Sequence, residues 1–280
     1  MDGDPRPIGV FDSGMGGLTV LQAMEARLPA ERFVYLGDTA RLPYGTKSAE
    51  TVQAYALQAT RLLIEAGVKM VVIACNTASA VALDALKEAL APVPVIGVIE
   101  PGARAGVAAT RNNRIAVIAT EGTVKGGAYV RAIGALSPDA IVVQRPCQVF
   151  VALAEEGWTD TTVTIAAAHH YLGALFDGPD APDTLVLGCT HFPVLAGTIR
   201  LIIGERVALV DSAATTASAV AKALAESGMA SGERKSGGAR FFATDSPERF
   251  ARVGAIFLGR PIDVASVELV DLRPKESPSF

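Results

Sequence analysis

The chain has 280 residues, half of them hydrophobic and 19% charged, with a net charge of −4. That length can bury one large core or two modest ones, and the acidic balance provides no basic stripe, which argues against nucleic acid as a primary partner. Three cysteines without short-range spacing argue against a disulfide framework and for a reducing compartment.

The first residues, 1–7, lack the apolar core of a signal peptide. The most apolar stretch, 68–86, is interrupted by Asn76, Thr77, Ser79 and Asp84, so no membrane partner is expected and the protein is placed in the cytoplasm. Short apolar runs alternate with helix-period segments, the pattern of βα units around a parallel sheet. Strands are predicted over 8–11, 33–36, 68–74, 94–98, 114–118, 140–143, 184–187, 207–210 and 240–243. Helices are predicted over 18–27, 48–66, 79–90, 161–175 and 213–225. A loop over 226–238, rich in Gly, Ser and charge, and a disordered tail over 271–280 complete the chain.

After the first strand comes Asp12-Ser13-Gly14-Met15-Gly16-Gly17. Its glycines allow close backbone approach to an anion, but the spacing is not that of a dinucleotide fingerprint. An ordinary βα turn with Asp12 as helix cap is the alternative. After the second strand, Gly37 to Lys47 is too long for a minimal turn and sits where open α/β sheets build binding sites. A surface loop with a solvated Asp38–Arg41 pair would also account for it.

Cys75 and Cys189 occupy the same slot, each where a buried strand runs into a helix. That carboxyl edge is where open α/β sheets hold ligands. Cys75-Asn76-Thr77 puts a thiol, an amide and a hydroxyl at a helix start, with Thr77 placed as N-cap; Cys189-Thr190-His191 repeats the arrangement. Either cysteine alone reads as a small core hydrophobe. Two in matched positions, each followed by polar residues, point to an acid–base pair. Cys75, Cys189 and His191 could also be counted as zinc ligands, but they lack the tight pairs of structural sites. Cys147 reads as packing. His169 and His170, adjacent on a helix, make a poor chelator, and Glu155-Glu156-Gly157 puts acids at a helix end where the dipole disfavours them.

Three landmarks recur at similar offsets: Gly16-Gly17 with Gly126-Gly127, Cys75 with Cys189, and Glu100 with Asp211. They suggest an α/β fold of two similar lobes, each a mainly parallel sheet flanked by helices, with the active site in the cleft between them. The expected division is 1–100 plus 212–280 for the first lobe and 101–211 for the second.

Asp12-Ser13-Gly14-x-Gly16-Gly17-Leu18-Thr19-Val20, Gly37-Asp38-Thr39-Ala40-Arg41-x-Pro43-Tyr44-Gly45, Ala74-Cys75-Asn76-Thr77-Ala78-Ser79 and Gly188-Cys189-Thr190-His191-Phe192-Pro193 together closely resemble the glutamate racemase family, in the family's order. Val210-Asp211-Ser212 extends the match. The resemblance implies a bacterial enzyme that interconverts L- and D-glutamate for peptidoglycan, with no cofactor or metal; a homodimer is expected. It implies that Cys75 and Cys189 are the catalytic thiols, with Asp12 beside the first and His191 beside the second. Glu155 matches a further acid, although Ala152 departs from the expected proline. Ser13, Asn76, Thr77 and Thr190 match substrate-contacting positions, with Pro43, Tyr44 and Gly45 lining the pocket. Thr120 and Thr123 match a further substrate loop in which Ala119 replaces a usual glycine. Some family members carry an N-terminal extension tied to activation by a cell-wall nucleotide precursor; with the first strand so near residue 1, that regulation is not expected. A related aspartate or hydantoin racemase, a non-catalytic amino-acid binding protein and, less well supported, a thiol hydrolase are the rival readings.

Overall fold

A computed structural model describes residues 3–232 and 238–272 of the chain. The predicted features over 233–237 and 273–280, part of the loop and most of the tail, lie outside the described residues, as do the first two residues.

The first sheet is built from β1 (Ile8–Asp12), β2 (Phe33–Gly37), β3 (Met70–Ile73) and β4 (Val95–Gly97). Between these strands run α1 (Leu18–Arg27), α2 (Ala49–Glu65), α3 (Asn76–Val81) and α4 (Leu83–Ala89). Helix α5 (Ile99–Ala109) leads into the second sheet, made of β5 (Arg114–Ala119), β6 (Ile141–Pro146), β7 (Thr184–Gly188) and β8 (Ala208–Asp211). Its connections are α6 (Glu121–Gly126), α7 (Ala128–Leu136), α8 (Val149–Glu155), α9 (Thr162–Leu172) and α10 (Ala196–Ile203). The chain then passes through α11 (Ser212–Ser227), β9 (Ala239–Ala243), α12 (Pro247–Leu258) and β10 (Val267–Leu269). Both sheets are parallel throughout, ordered β10-β9-β2-β1-β3-β4 and β6-β5-β7-β8.

The order β2-β1-β3-β4 is the order β6-β5-β7-β8, so the two sheets share a four-strand plan and β9 and β10 extend only the first. Alternation along the strands explains how they associate. Ile8, Val10, Met70 and Val72 of the first sheet share one core with Ala116, Ile118, Leu185 and Leu187 of the second. That core also takes in Leu18 and Leu21 of α1, Val220 of α11 and Phe257 of α12. The opposite faces carry separate clusters, Phe11, Val71 and Ile73 with α2 residues in one, Ile115, Val117 and Val186 in the other. β1, β2, β3 and β7 are buried along their whole length, as central parallel strands require.

Several expectations need correction. The predicted helix over 79–90 is two helices that begin earlier, α3 and α4, divided at Ala82. β10, a three-residue edge strand, went unpredicted. The helix α11 runs to Ser227, so the first residues of the expected loop over 226–238 are helical. Gly126-Gly127 is not the counterpart of Gly16-Gly17: Gly127, at φ 61°, joins α6 to α7, whereas Gly17 opens α1. Glu100 and Asp211 are not equivalent either. Glu100 lies in the first turn of α5, while Asp211 ends β8 and caps α11 by accepting from Ala213 N–H at 2.8 Å. Only the cysteine landmark keeps its equivalence, since Cys75 follows β3 and Cys189 follows β7.

Candidate active site

The carboxyl ends of β1, β3, β5 and β7 meet at one small cavity. Its wall includes Ser13, Pro43, Tyr44, Gly45, Cys75, Asn76, Thr77, Thr120, Glu155, Cys189, Thr190 and His191. Two residues of the expected site are absent from that wall. Asp12 and Thr123 are wholly buried, Asp12 at the end of β1 and Thr123 behind Thr120 in the first turn of α6. Gly14, Leu42, Gln148 and Val151 line the cavity without having been anticipated. Gln148, Val151 and Glu155 are spaced three and four apart, which places them along one side of α8.

Cys75 closes the turn after β3 and is itself the N-cap of α3. Its Sγ accepts from Ala78 N–H at 3.4 Å and its thiol donates to Ser13 Oγ at 3.4 Å. Thr77, expected as the cap, lies inside the helix and contacts Thr120 Oγ1 at 3.0 Å and Thr123 Oγ1 at 3.3 Å. Burial, then the nearby Asp12 carboxyl, push the Cys75 thiol up to about 12 against the pull of Ser13 and the Ala78 N–H. This sulfur therefore holds its proton at neutral pH. Asp12 Oδ2 accepts from Gly14 N–H at 2.9 Å, so Asp12 braces the loop after β1 and does not cap α1, whose N-cap is Gly17. Burial raises the Asp12 carboxyl, with His191 and the Gly17 and Gly14 N–H groups opposing.

Cys189 differs in its local structure. After β7 the chain makes a short 3-10 turn, Phe192–Leu195, before α10, so no α-helix begins at this sulfur. A histidine supplies the charge instead. His191 Nδ1 is 3.8 Å from Cys189 Sγ, and Nε2 is 3.1 Å from Glu155 Oε1. Burial lowers the imidazole, but its bonds to Cys189 and Glu155 more than offset this and bring it up to about 10. A doubly protonated ring can donate to both partners at once, and an imidazolium at this distance stabilises negative charge on the sulfur.

Glu155 is held low in spite of burial, by His191 and by Arg249, whose Nη2 donates to Oε2 at 2.7 Å. The ring of Phe257 meets His191 edge-on at 4.9 Å between centroids. The imidazole also lies against Gly16, where a Cβ would sit 2.3 Å from Nδ1; only glycine fits there.

Asn76 Nδ2 donates to Tyr129 Oη at 3.0 Å, while its Oδ1 is buried with no hydrogen-bond partner among the described residues. The Tyr44 hydroxyl donates to the buried Asp38, which also accepts from Arg41 Nε at 2.7 Å and Thr244 Oγ1 at 3.0 Å. The Asp38–Arg41 pair is thus the anchor of the Pro43-Tyr44-Gly45 loop and not a solvated surface pair. Cys147 is wholly buried in the main core, and His169 and His170 are exposed. Among the described residues no three His, Cys, Asp or Glu side chains converge as a metal-binding group, and no helix is long and apolar enough to cross a membrane.

The family model described as Asp/Glu/hydantoin racemase matches residues 8–220. A glutamate racemase of Geobacter metallireducens is 50% identical over 265 residues, 94% of this chain and 97% of that protein. A Neisseria meningitidis glutamate racemase is 46% identical over 270 residues, 96% of this chain and 98% of its own. Among solved structures, the glutamate racemase of Francisella tularensis in complex with D-glutamate superposes with a TM-score of 0.88 at 38% identity, covering 96% of this chain and 98% of that one.

Proposed function

The chain belongs to the Asp/Glu/hydantoin racemase family, and on that premise we propose that it interconverts L- and D-glutamate by two-base proton transfer between Cys75 and Cys189. The observation that carries this reading is the pairing of two thiols from equivalent strands on one cavity, Cys75 beside Asp12 and Cys189 beside His191. Racemisation removes the α-proton from one face of the carbon and delivers another to the opposite face, so one group must start ionised and the other protonated. Cys75, pushed up to about 12, is the proton donor of one direction. Cys189, beside the His191 imidazolium, is the base of that direction. Transfer leaves Cys189 protonated and Cys75 as thiolate, the arrangement needed for the reverse reaction.

The α-proton is weakly acidic, so the charge that develops toward the substrate carboxylate needs fixed donors. The hydroxyl residues Ser13, Thr77, Thr120 and Thr190 line the cavity, and Asn76 Oδ1 is a ready acceptor for the substrate ammonium. The free space is about 40 Å³, room for only a few waters. A five-carbon amino acid therefore enters by parting the lobes, 1–100 plus 212–280 against 101–211, and their closure excludes water. The product would supply D-glutamate for peptidoglycan in the cytoplasm, and the enzyme would act as a homodimer.

The test is racemisation of each glutamate enantiomer in deuterated water without added cofactor, beside L-aspartate as an alternative substrate. Two distinct bases should label the product α-position while recovered substrate stays largely unlabelled at early times. Equal early labelling of both would contradict them, and faster turnover of aspartate would reassign the substrate. Cys75→Ser and Cys189→Ser should each abolish the reaction.

A further inference from the structure

We propose that Arg249 of α12 is a positioning residue for the proton relay of the second thiol: its guanidinium keeps the Glu155 carboxylate charged and aimed at His191. The inference rests on the two-thiol reading above and extends it to a residue 58 positions beyond His191 and outside every matched motif.

The geometry divides Glu155 between two partners. Oε1 faces His191 Nε2 at 3.1 Å and Oε2 accepts from Arg249 Nη2 at 2.7 Å, so each oxygen has one cationic donor. Glu155 is the last residue of α8, where a helix C-terminus disfavours a negative charge. An acid kept there, with a side chain only 15% exposed, needs a counter-charge, and Arg249 supplies it. The same helix touches the relay a second time, two turns on, through the Phe257 ring against His191. Cys189, His191, Glu155 and Arg249 thus form one chain of contacts, 3.8, 3.1 and 2.7 Å long.

Its two ends belong to different halves of the molecule. His191 and Glu155 follow strands of the second sheet, whereas α12 lies between β9 and β10 of the first and packs on α1. The relay is therefore complete only when the halves are together. The charged and titratable groups facing His191 are Cys189, Glu155 of α8 and Asp12 of β1; Glu155 faces His191 and Arg249, and the buried Cys147 thiol neighbours Cys189.

An exposed ion pair would contribute little. Arg249, with 40% of its side chain exposed, is partly screened, so a modest effect is expected and not the loss seen on removing a thiol. Arg249→Ala should lower kcat about tenfold, with KM changed by less than about twofold. Losing the cation makes neighbouring acids easier to protonate, so the acidic limb of kcat/KM should move to higher pH. Arg249→Lys should restore most of kcat and return the limb. Arg249→Ala combined with Glu155→Gln should be no slower than Glu155→Gln alone. Thermal unfolding by circular dichroism verifies folding, and Arg249→Gln replaces the alanine variant if that one fails to fold. Multiplying losses in the double variant, an unmoved acidic limb, or a lysine variant as slow as alanine would overturn the proposal. Full activity of Glu155→Gln would overturn it as well. Wild-type protein that fails to racemise glutamate would instead remove the two-thiol reading on which it rests.

Discussion

His191 holds its proton well above the ordinary imidazole range, because the two groups it touches are the Cys189 sulfur and the Glu155 carboxylate. Burial works against the charge, but the contacts with Cys189 and Glu155 outweigh it and raise the imidazole from 6.5 to about 10. A group whose folded value exceeds its unfolded one adds stability in full below the unfolded value. That stability is lost as pH rises through the folded value. Wild-type protein should therefore exceed His191→Gln in urea resistance by its full margin near pH 6, and the margin should shrink as pH approaches 10. A margin that stayed constant or grew would mean that the imidazole is neutral in the folded protein. Cys75 is the opposite case, since burial and Asp12 both oppose a charge on its sulfur. That Cys75 and Cys189 would share one cavity was legible in the sequence, because scarce cysteines at strand ends stand out. Their different neighbours were not, since Asp12 approaches the first, and His191 with Glu155 the second, only in the fold. Gln148 and Val151 were missed for a related reason. A glutamine and a valine carry no chemical signal until α8 turns the side that already bears Glu155 toward the cavity.

Helix α3 starts on a catalytic candidate, which couples element and chemistry at Cys75. The sulfur accepts from Ala78 N–H at 3.4 Å, so it satisfies one of the N–H groups that a helix start leaves unpaired. Serine is a preferred cap and alanine is not. Cys75→Ser and Cys75→Ala should both be inactive, yet differ in stability, with alanine the weaker by about 1 kcal/mol. Equal unfolding midpoints would show that a capping side chain at position 75 contributes nothing to the helix. Thr77 looked like the cap from sequence because threonine caps well and lies two residues past the strand-end thiol. The hydroxyl is spent instead on Thr120 and Thr123 across the cleft, a use that no local pattern reports. The pair Gly126-Gly127 misled in the same way: glycine pairs mark turns of many kinds, and this one separates two helices after β5.

The two-sheet plan was legible because central parallel strands are continuous apolar runs; β1, β3, β5 and β7 read as such directly. β10 was not legible, since three residues at a sheet edge, two of them exposed, leave almost no period. Nor could the sequence reveal how the far end of the first sheet is tied. At the amino end of β3, opposite Cys75, Lys69 is buried with Glu31, their charges 2.6 Å apart. Lys69 Nζ also donates to the carbonyls of Asp4 at 2.7 Å and Met229 at 2.8 Å, while Glu31 Oε1 accepts from Ser231 N–H at 2.7 Å. This one ammonium joins the N-terminal segment, the turn before β2 and the chain after α11. Lys69→Met fills similar volume but leaves the Glu31 carboxylate buried without its counter-charge, a defect that costs about 3–5 kcal/mol. Removing both charges, as Lys69→Met with Glu31→Met, should recover much of that loss, because the desolvated pair itself yields little net stability. Urea denaturation measures both effects, and kcat of the folded fraction should be unchanged, since the pair sits at the end of the strand away from the cavity. A single variant as stable as wild type would show that the pair does not bind the three segments together. A slower kcat at full folding would instead show that strain at the base of β3 reaches the thiol at its tip.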